Sequence, residues 1–290
     1  MSNRPFVIST DSGSDLNQQY CQENGVLCVE LSYTIAGETY TSFDPRMTNK
    51  QFYDLIRQGE MPVTQQVNPQ QITDAWEPVV QQGNDILHIG FSSGLSGSFN
   101  SACMAAEELR EKYPEATIIT VDSLAASLGH GMLVDFAVKM KKDGASIEEI
   151  AAWQEANKMN LVHNFTVDDL NHLQRGGRVS KATAIVGTAL GIKPVLHVDD
   201  EGHLINISKV RGRKPSLKAL VDRMEELTEG WENTEIFISH GDCLEDAQFV
   251  ADEITKRFGI TKFTIDYVGP VIGSHTGCGV VALFFMGKNR

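Results

Sequence analysis

Short apolar runs rich in β-branched residues alternate with stretches of helical period along most of this chain, the pattern of βαβ units around a largely parallel sheet. Residues 6–10 predict a first strand and residues 26–35 a second. Thr48 then caps a helix carrying Phe52, Leu55 and Ile56 on one face, and Asn68 with Pro69 opens another. Residues 85–91 predict a buried strand running into SSGLSGS and a helix through Met104, Ala105 and Leu109, with residues 116–121 as the following strand. A long helix over 125–142 stops at Gly144, and Ser146 with Glu149 forms a capping box for the next.

The second half differs in style. A strand at 161–167 leads to DDLNHLQRGGR, a short helix ending in glycines, and 193–199 with 204–210 predict a hairpin turning at Asp200, Glu201 and Gly202. Helices at 215–228 and 244–258 flank a strand at 235–239, and closing strands at 263–268 and 279–286 bracket the glycine-rich turn VGPVIGSHTGCG. The chain of 290 residues exceeds the usual single domain of roughly 100 to 200. The expectation is therefore an α/β protein of two domains. Residues 1–160 build a mainly parallel sheet flanked by helices and residues 161–290 a mixed α/β domain, the two meeting where a helix ending at Met159 gives way to the strand at Leu161.

Composition changes this picture little but excludes some functions. Hydrophobic residues at 41% and charged residues at 22% lie near globular averages, so a packed core is expected rather than disorder. A net charge of −13 argues against a general nucleic-acid surface, because binding phosphates needs concentrated Lys and Arg. Cys21, Cys28, Cys103, Cys243 and Cys278 are an odd set without CxxC spacing, which points to free thiols in a reducing compartment and no zinc cluster. The start, MSNRPFVISTDSGSDL, lacks the apolar stretch of a signal peptide, and no apolar run approaches the roughly 20 residues that span a bilayer. A cytoplasmic protein without stable membrane insertion is expected.

The most informative stretch is GFSSGLSGSFNS, residues 90–101, where a strand stops and small residues lead into a helix. Open α/β sheets bind ligands at the carboxyl ends of their strands, and a helix N-terminus offers free N–H groups, so an anion site is the physical expectation. Ser92, Ser93, Ser96 and Ser98 supply hydroxyls, while Gly94 and Gly97 permit close backbone approach. The competing possibility is that Ser98 only caps the helix and the glycines only make a turn. The stretch lacks the lysine of a phosphate-binding GxxxxGK[ST] loop. His275, in GSHTG, is a second donor to an anion, a base for a nucleophilic serine, or a structural residue. Arg175, Arg178, Lys181, Arg211, Arg213 and Lys214 read either as cations complementing helix ends or as a basic surface for a phosphate-bearing ligand or an acidic partner. Asp11 and Asp15, with Ser12 and Ser14, could bind magnesium but more often cap a helix.

Six ordered segments carry a resemblance: STDSGSDL, FSSGLSGSFNSA, VDSLAASLGHG, VDDLNHLQRGGRVS followed by GTALGIKPVL, KVRGRKPSL, and VGPVIGSHTGCG. Together they cover essentially the whole chain, and they resemble the DegV family of fatty-acid-binding proteins, which includes the lipid-carrier subunits of bacterial fatty acid kinase. The resemblance implies a buried fatty acid between the two domains, palmitate or a relative of about 16 to 18 carbons, with no other cofactor and no metal. Carried to matching positions, it implies that Ser93, with its neighbour Ser92, and Thr64 in PVTQQ hydrogen-bond the carboxylate, with His275 nearby. It further implies that Arg178 and the Arg211 region face a separate ATP-dependent kinase that phosphorylates the bound carboxylate to an acyl-phosphate. The protein would then be a carrier without an active site of its own. Physical chemistry agrees: a carboxylate at hydroxyls and a helix N-terminus receives charge-assisted hydrogen bonds, and each buried methylene contributes about 0.8 kcal/mol. The chain departs from the family pattern at Gln65 and Val67, where TSQP is usual, and at Cys278, where proline is common. The rival functions are a serine-dependent acyl hydrolase using a serine of 92–98 with His275, a lipid sensor without a kinase, and a transcriptional regulator.

Overall fold

The computed structural model describes residues 4–180 and 191–290. β1 (Phe6–Asp11) and β2 (Val26–Val29) pair in parallel, and the chain then builds a small antiparallel sheet from β3 (Ser32–Ile35), β4 (Glu38–Thr41) and β5 (Val63–Gln65). β6 (Asp85–Gly90) and β7 (Ile118–Asp122) return to the first sheet, whose order β2-β1-β6-β7 is parallel throughout. The rest of the chain contributes β8 (Leu161–Thr166), β9 (Ile192–Val198), β10 (Leu204–Arg211), β11 (Ile236–His240), β12 (Phe263–Tyr267) and β13 (Val281–Met286). They form one mixed sheet in the order β10-β9-β8-β13-β11-β12, antiparallel except for the β11–β12 pair. The expected α/β class is thus observed, a parallel sheet in the first half and a mixed sheet beginning at Leu161.

The central strands β6, β8 and β13 are covered on both faces and buried at every position, including the polar Asp85, His88, His163, Asn164 and Thr166. The helix Ser127–Lys142 packs against strands of both sheets, so one core runs from Ile8 and Leu87 through Leu128 and Leu133 to Phe165 and Phe284. Capping boxes at Thr48–Gln51, Asn68–Gln71 and Ser146–Glu149 fix the starts of three helices, and Gly144 at φ +92° ends the long one.

The structure differs from the sequence reading at four places. The run 26–35 is two strands in different sheets, because the Ser12 hydroxyl accepts the Leu31 N–H at 2.9 Å and turns the chain away from β1. The helix Gln18–Asn24, capped by Asn17, and the strands β4 and β5 have too few apolar residues to announce themselves. The glycine-rich segment holding His275 is a helix, Pro270–Thr276, started by a proline at its first turn and stopped by Gly277 at φ +70°. Ser98 does not cap its helix; it is the first helical residue of Ser98–Lys112, and its N–H is accepted by the Ser96 hydroxyl at 3.2 Å.

Candidate functional site

The loops after β2, β6 and β7, at the carboxyl ends of the parallel strands, face the six-stranded sheet across a cavity of about 460 Å³, within the ordinary range for small-molecule sites. Its lining is mostly apolar, with Leu31 and Phe91 on one side and Phe165, Leu173, Val271 and Phe284 on the other. Polar groups gather at one place. The Thr64 hydroxyl lies 2.9 Å from His275 Nε2, and both line the cavity. Arg178 donates from Nε and Nη2 to the Leu95 carbonyl at 3.1 and 3.0 Å and from Nη1 to the Gly176 carbonyl. Ser96, the residue after Leu95, also lines the cavity, with its hydroxyl 3.0 Å from that of Ser98.

Burial, and then the neighbouring Arg178 guanidinium, push the His275 imidazole down to about 4, so it is neutral at neutral pH. Its Nδ1 has no hydrogen-bond partner among the described residues. A neutral imidazole, two hydroxyls and a half-buried guanidinium around one end of an apolar cavity suit a carboxylate head with a hydrocarbon tail. A second space of about 310 Å³ adjoins this end: Thr64, Arg178 and His275 line it as well, together with Met61, His172 and Arg175. The polar end therefore borders a basic vestibule, with these three side chains lining both spaces.

The residues expected from sequence fall into separate places. Thr64 and His275 are brought together. Ser93 is not on the cavity lining; it is exposed, and its backbone N–H donates to Asp122 at 3.2 Å. Ser92 is fully buried, but its hydroxyl faces the other half of the molecule and donates to the Gly202 carbonyl at 2.9 Å. Ser96 occupies the lining position, because Arg178 holds Leu95 and so turns the loop around that residue. Arg178 is no free surface cation: it is half buried and bridges the two halves at the polar end. Arg211 is exposed at the end of β10, away from the cavity lining. Lys181 lies outside the described residues. The family departures are accommodated: Val67 donates its N–H to the Ser98 hydroxyl at 3.3 Å, a bond proline cannot make, Gln65 reaches the Ser32 hydroxyl at 2.7 Å, and the Cys278 thiol points at the Tyr53 carbonyl at 3.6 Å.

Five further polar residues line the cavity, Gln65, Gln66, Ser127, His163 and Thr276, and those on β8 and the long helix, His163 and Ser127, already have partners. His163 Nε2 accepts the Ala126 N–H at 3.3 Å, and the Ser127 hydroxyl donates to Asp15 at 2.5 Å while lying 2.9 Å from the Ser239 hydroxyl. Burial raises the Asp15 carboxyl to about 8, a group kept neutral inside the core rather than a metal ligand. Asp11 accepts N–H groups from Gly13 and Phe91, both at 2.8 Å. Among the described residues no cluster of acidic, His or Cys side chains could hold a metal. Among the described residues the hydrogen-bond partner of His275 is Thr64, and the hydroxyls of Ser92, Ser96 and Ser98 have other partners.

Comparison with known proteins matches this geometry to a family. A DegV domain-containing protein of Clostridium perfringens is 46% identical over 288 residues, 99% of each chain. Among solved structures, a DegV family protein from Thermus thermophilus described for its fatty acid binding superposes with a TM-score of 0.87 at 28% identity, covering 98% of this chain and 99% of that one. A fatty acid binding DegV family protein from Streptococcus agalactiae gives 0.85 at 29% identity, with 98% and 99% covered. The family model described as "Uncharacterised protein, DegV family" matches residues 5–288, and the chain belongs to the DegV family.

Proposed function

We propose that this protein is a non-catalytic carrier that binds one long-chain fatty acid, its tail in the 460 Å³ cavity and its carboxylate among Thr64, Ser96 and His275 beside Arg178. The observation that carries this reading is the composition of that cavity: mostly apolar, with hydroxyls, a neutral imidazole and a guanidinium gathered at Thr64, Ser96, His275 and Arg178, beside the second space. The related structures described as fatty-acid-binding support it. Burying fifteen or so methylene and methyl groups at about 0.8 kcal/mol each would more than offset the ordering of a flexible chain.

Arrival of the carboxylate places a negative charge beside His275 and Arg178, which both desolvates and pairs the guanidinium. The vestibule with His172 and Arg175 leaves the head group reachable from outside, as presentation to an ATP-dependent kinase for acyl-phosphate formation requires. On this reading Arg175 and the exposed Arg211 contribute to the partner surface, while Arg178 positions the loop that carries Ser96. The cytoplasm is the compartment that suits such a partner and five free thiols.

Denaturing extraction and mass spectrometry of the purified protein test the reading directly. The expected result is about one equivalent of free fatty acid. Protein that is lipid-free and takes up no added palmitate would overturn it, and binding without any kinase-dependent acyl-phosphate would leave a lipid sensor.

A further inference from the structure

The hairpin of β9 and β10 is the edge of the six-stranded sheet, and it is attached to that sheet over a short length. β9 pairs with β8 only at Thr166↔Val195 and Phe165↔Leu196, and beyond Leu196 it has no partner in β8. β10, the outermost strand, has no buried residue. The outer half of the hairpin, residues 197–206, therefore projects as a cantilever. At the root of the projection the ladder between the two strands breaks register: Asn206 pairs with Leu196 and Ser208 with Val195, a bulge that leaves Ile207 unpaired. A bulge bends a strand and interrupts its ladder, which makes it a natural flexure.

Val198 and Leu204, on either side of the tip, line the fatty-acid cavity opposite His163 and Phe165 of β8, so the cantilever is one wall of the ligand space. Its tip is closed internally by the Asp199 carboxylate, which accepts the N–H groups of Glu201 and His203 at 3.0 and 2.8 Å. It is fastened to the rest of the molecule by the packing of Val198 and Leu204 at the core and of Gly202 beside Leu124, and by a few polar contacts. The Ser92 hydroxyl donates to the Gly202 carbonyl. A Cβ at Gly94 would meet the Glu201 carbonyl at 2.6 Å, so this glycine permits the tip to seat on the loop. Arg290 donates to the Asp199 carbonyl at 3.1 Å, and to the carbonyls of Leu124, Ser123 and Lys158 at 2.6, 3.1 and 2.9 Å, tying the tip to both halves.

We propose that residues 197–206 are the gate of the acyl cavity, hinged at the Ile207 bulge and latched shut by Ser92 and Arg290. The proposal rests on the fatty-acid reading of the cavity. Opening breaks the latch contacts and uncovers the cavity at Val198 and Leu204, while the pairing of β8 with β13 stays intact. The loop SSGLSGS then has two duties: Ser96 faces the head group and Ser92 with Gly94 seats the gate.

Stopped-flow exchange of cis-parinaric acid, a fluorescent long-chain fatty acid, tests the gate in Ser92→Ala and Arg290→Ala. A latch hydrogen bond of ordinary strength predicts that each variant raises both the association and the dissociation rate roughly fivefold to tenfold, leaving Kd nearly unchanged. Wild-type rates in both variants, or faster dissociation without faster association, would overturn the gate. Amide hydrogen exchange on the unmodified protein decides the matter independently of any variant's folding. The amides at the hinge, Leu196 and Asn206 to Ser208, should exchange through an opening that leaves β8 and β13 protected, whereas exchange of the hinge only together with those strands would refute it. If the unmodified protein takes up no cis-parinaric acid, the fatty-acid reading fails, and the exchange measurement still tests the hinge.

Discussion

Thr64→Val is the perturbation that most directly separates the observed polar end from a generic apolar hole. Valine keeps the volume and β-branching of threonine but removes the hydroxyl that lies 2.9 Å from His275 Nε2 on the cavity wall. The carboxylate loses one charge-assisted hydrogen bond, about 1.5–3 kcal/mol, and His275, already without a partner at Nδ1, loses the one at Nε2 as well. The fatty-acid Kd should therefore rise by roughly 10- to 150-fold, toward the upper part of that range. Ser96→Ala should weaken binding within the same range. Ser93→Ala, an exposed serine off the lining, should stay within about twofold of the parent. Isothermal titration of delipidated protein with palmitate, with thermal unfolding to confirm the fold, measures all three. The reasoning is refuted if Ser93→Ala costs as much as Thr64→Val, or if Thr64→Val binds as tightly as the parent.

Acid should destabilise the ligand-free protein through His275. The unfolded chain takes up this proton below about pH 6.5 and the folded one only near 4, so the contribution is complete above pH 6.5 and is lost as pH falls toward 4, about 2 kcal/mol by pH 5. His275→Asn should lose less melting temperature between pH 7 and pH 5 than the parent, and an equal loss would contradict this. Buried His88, held down to about 3, acts in the same direction, while Asp15, raised to about 8, works oppositely and weakens the fold as pH rises. Leu204→Trp should fill the gate side of the cavity and shift the co-purified fatty acids toward shorter chains, readable by mass spectrometry; an unchanged profile would remove Leu204 from the acyl wall. Trp76→Ala deletes a fully buried ring whose Nε1 donates to the Ser9 hydroxyl at 2.9 Å, and should cost about 3–5 kcal/mol in denaturant unfolding.

Much of the architecture is legible in the chain because the signals are local. β13 is covered on both faces and so is written as an unbroken apolar run, β6 is largely apolar and β8 partly so, the three capping boxes are fixed four-residue patterns, and Gly202 at φ +80° marks the hairpin turn. The run 26–35 reads as one strand because its polar Glu30, Ser32 and Thr34 fall at the alternate positions a half-buried strand allows, and the break comes from a Ser12 hydroxyl brought to Leu31 across the fold. The site divides in the same way. SSGLSGS at the end of a strand announces a polar pocket, but its serines are chemically alike, and nothing local says which of them faces the ligand.

By itself, then, the sequence determined the α/β order of elements and the presence of a hydroxyl-rich loop at a strand end, and its family resemblance named Thr64 and His275 as residues to look for together. Only the tertiary structure decided that Ser96 lines the cavity, that Ser92 holds the hairpin, and that Arg178 works inside the molecule on Leu95 rather than on its surface. The physical reason is that a loop's side-chain directions are set by the contacts that pin its backbone. Here those contacts come from residues 83 and 110 positions away, Arg178 on Leu95 and Gly202 on Ser92.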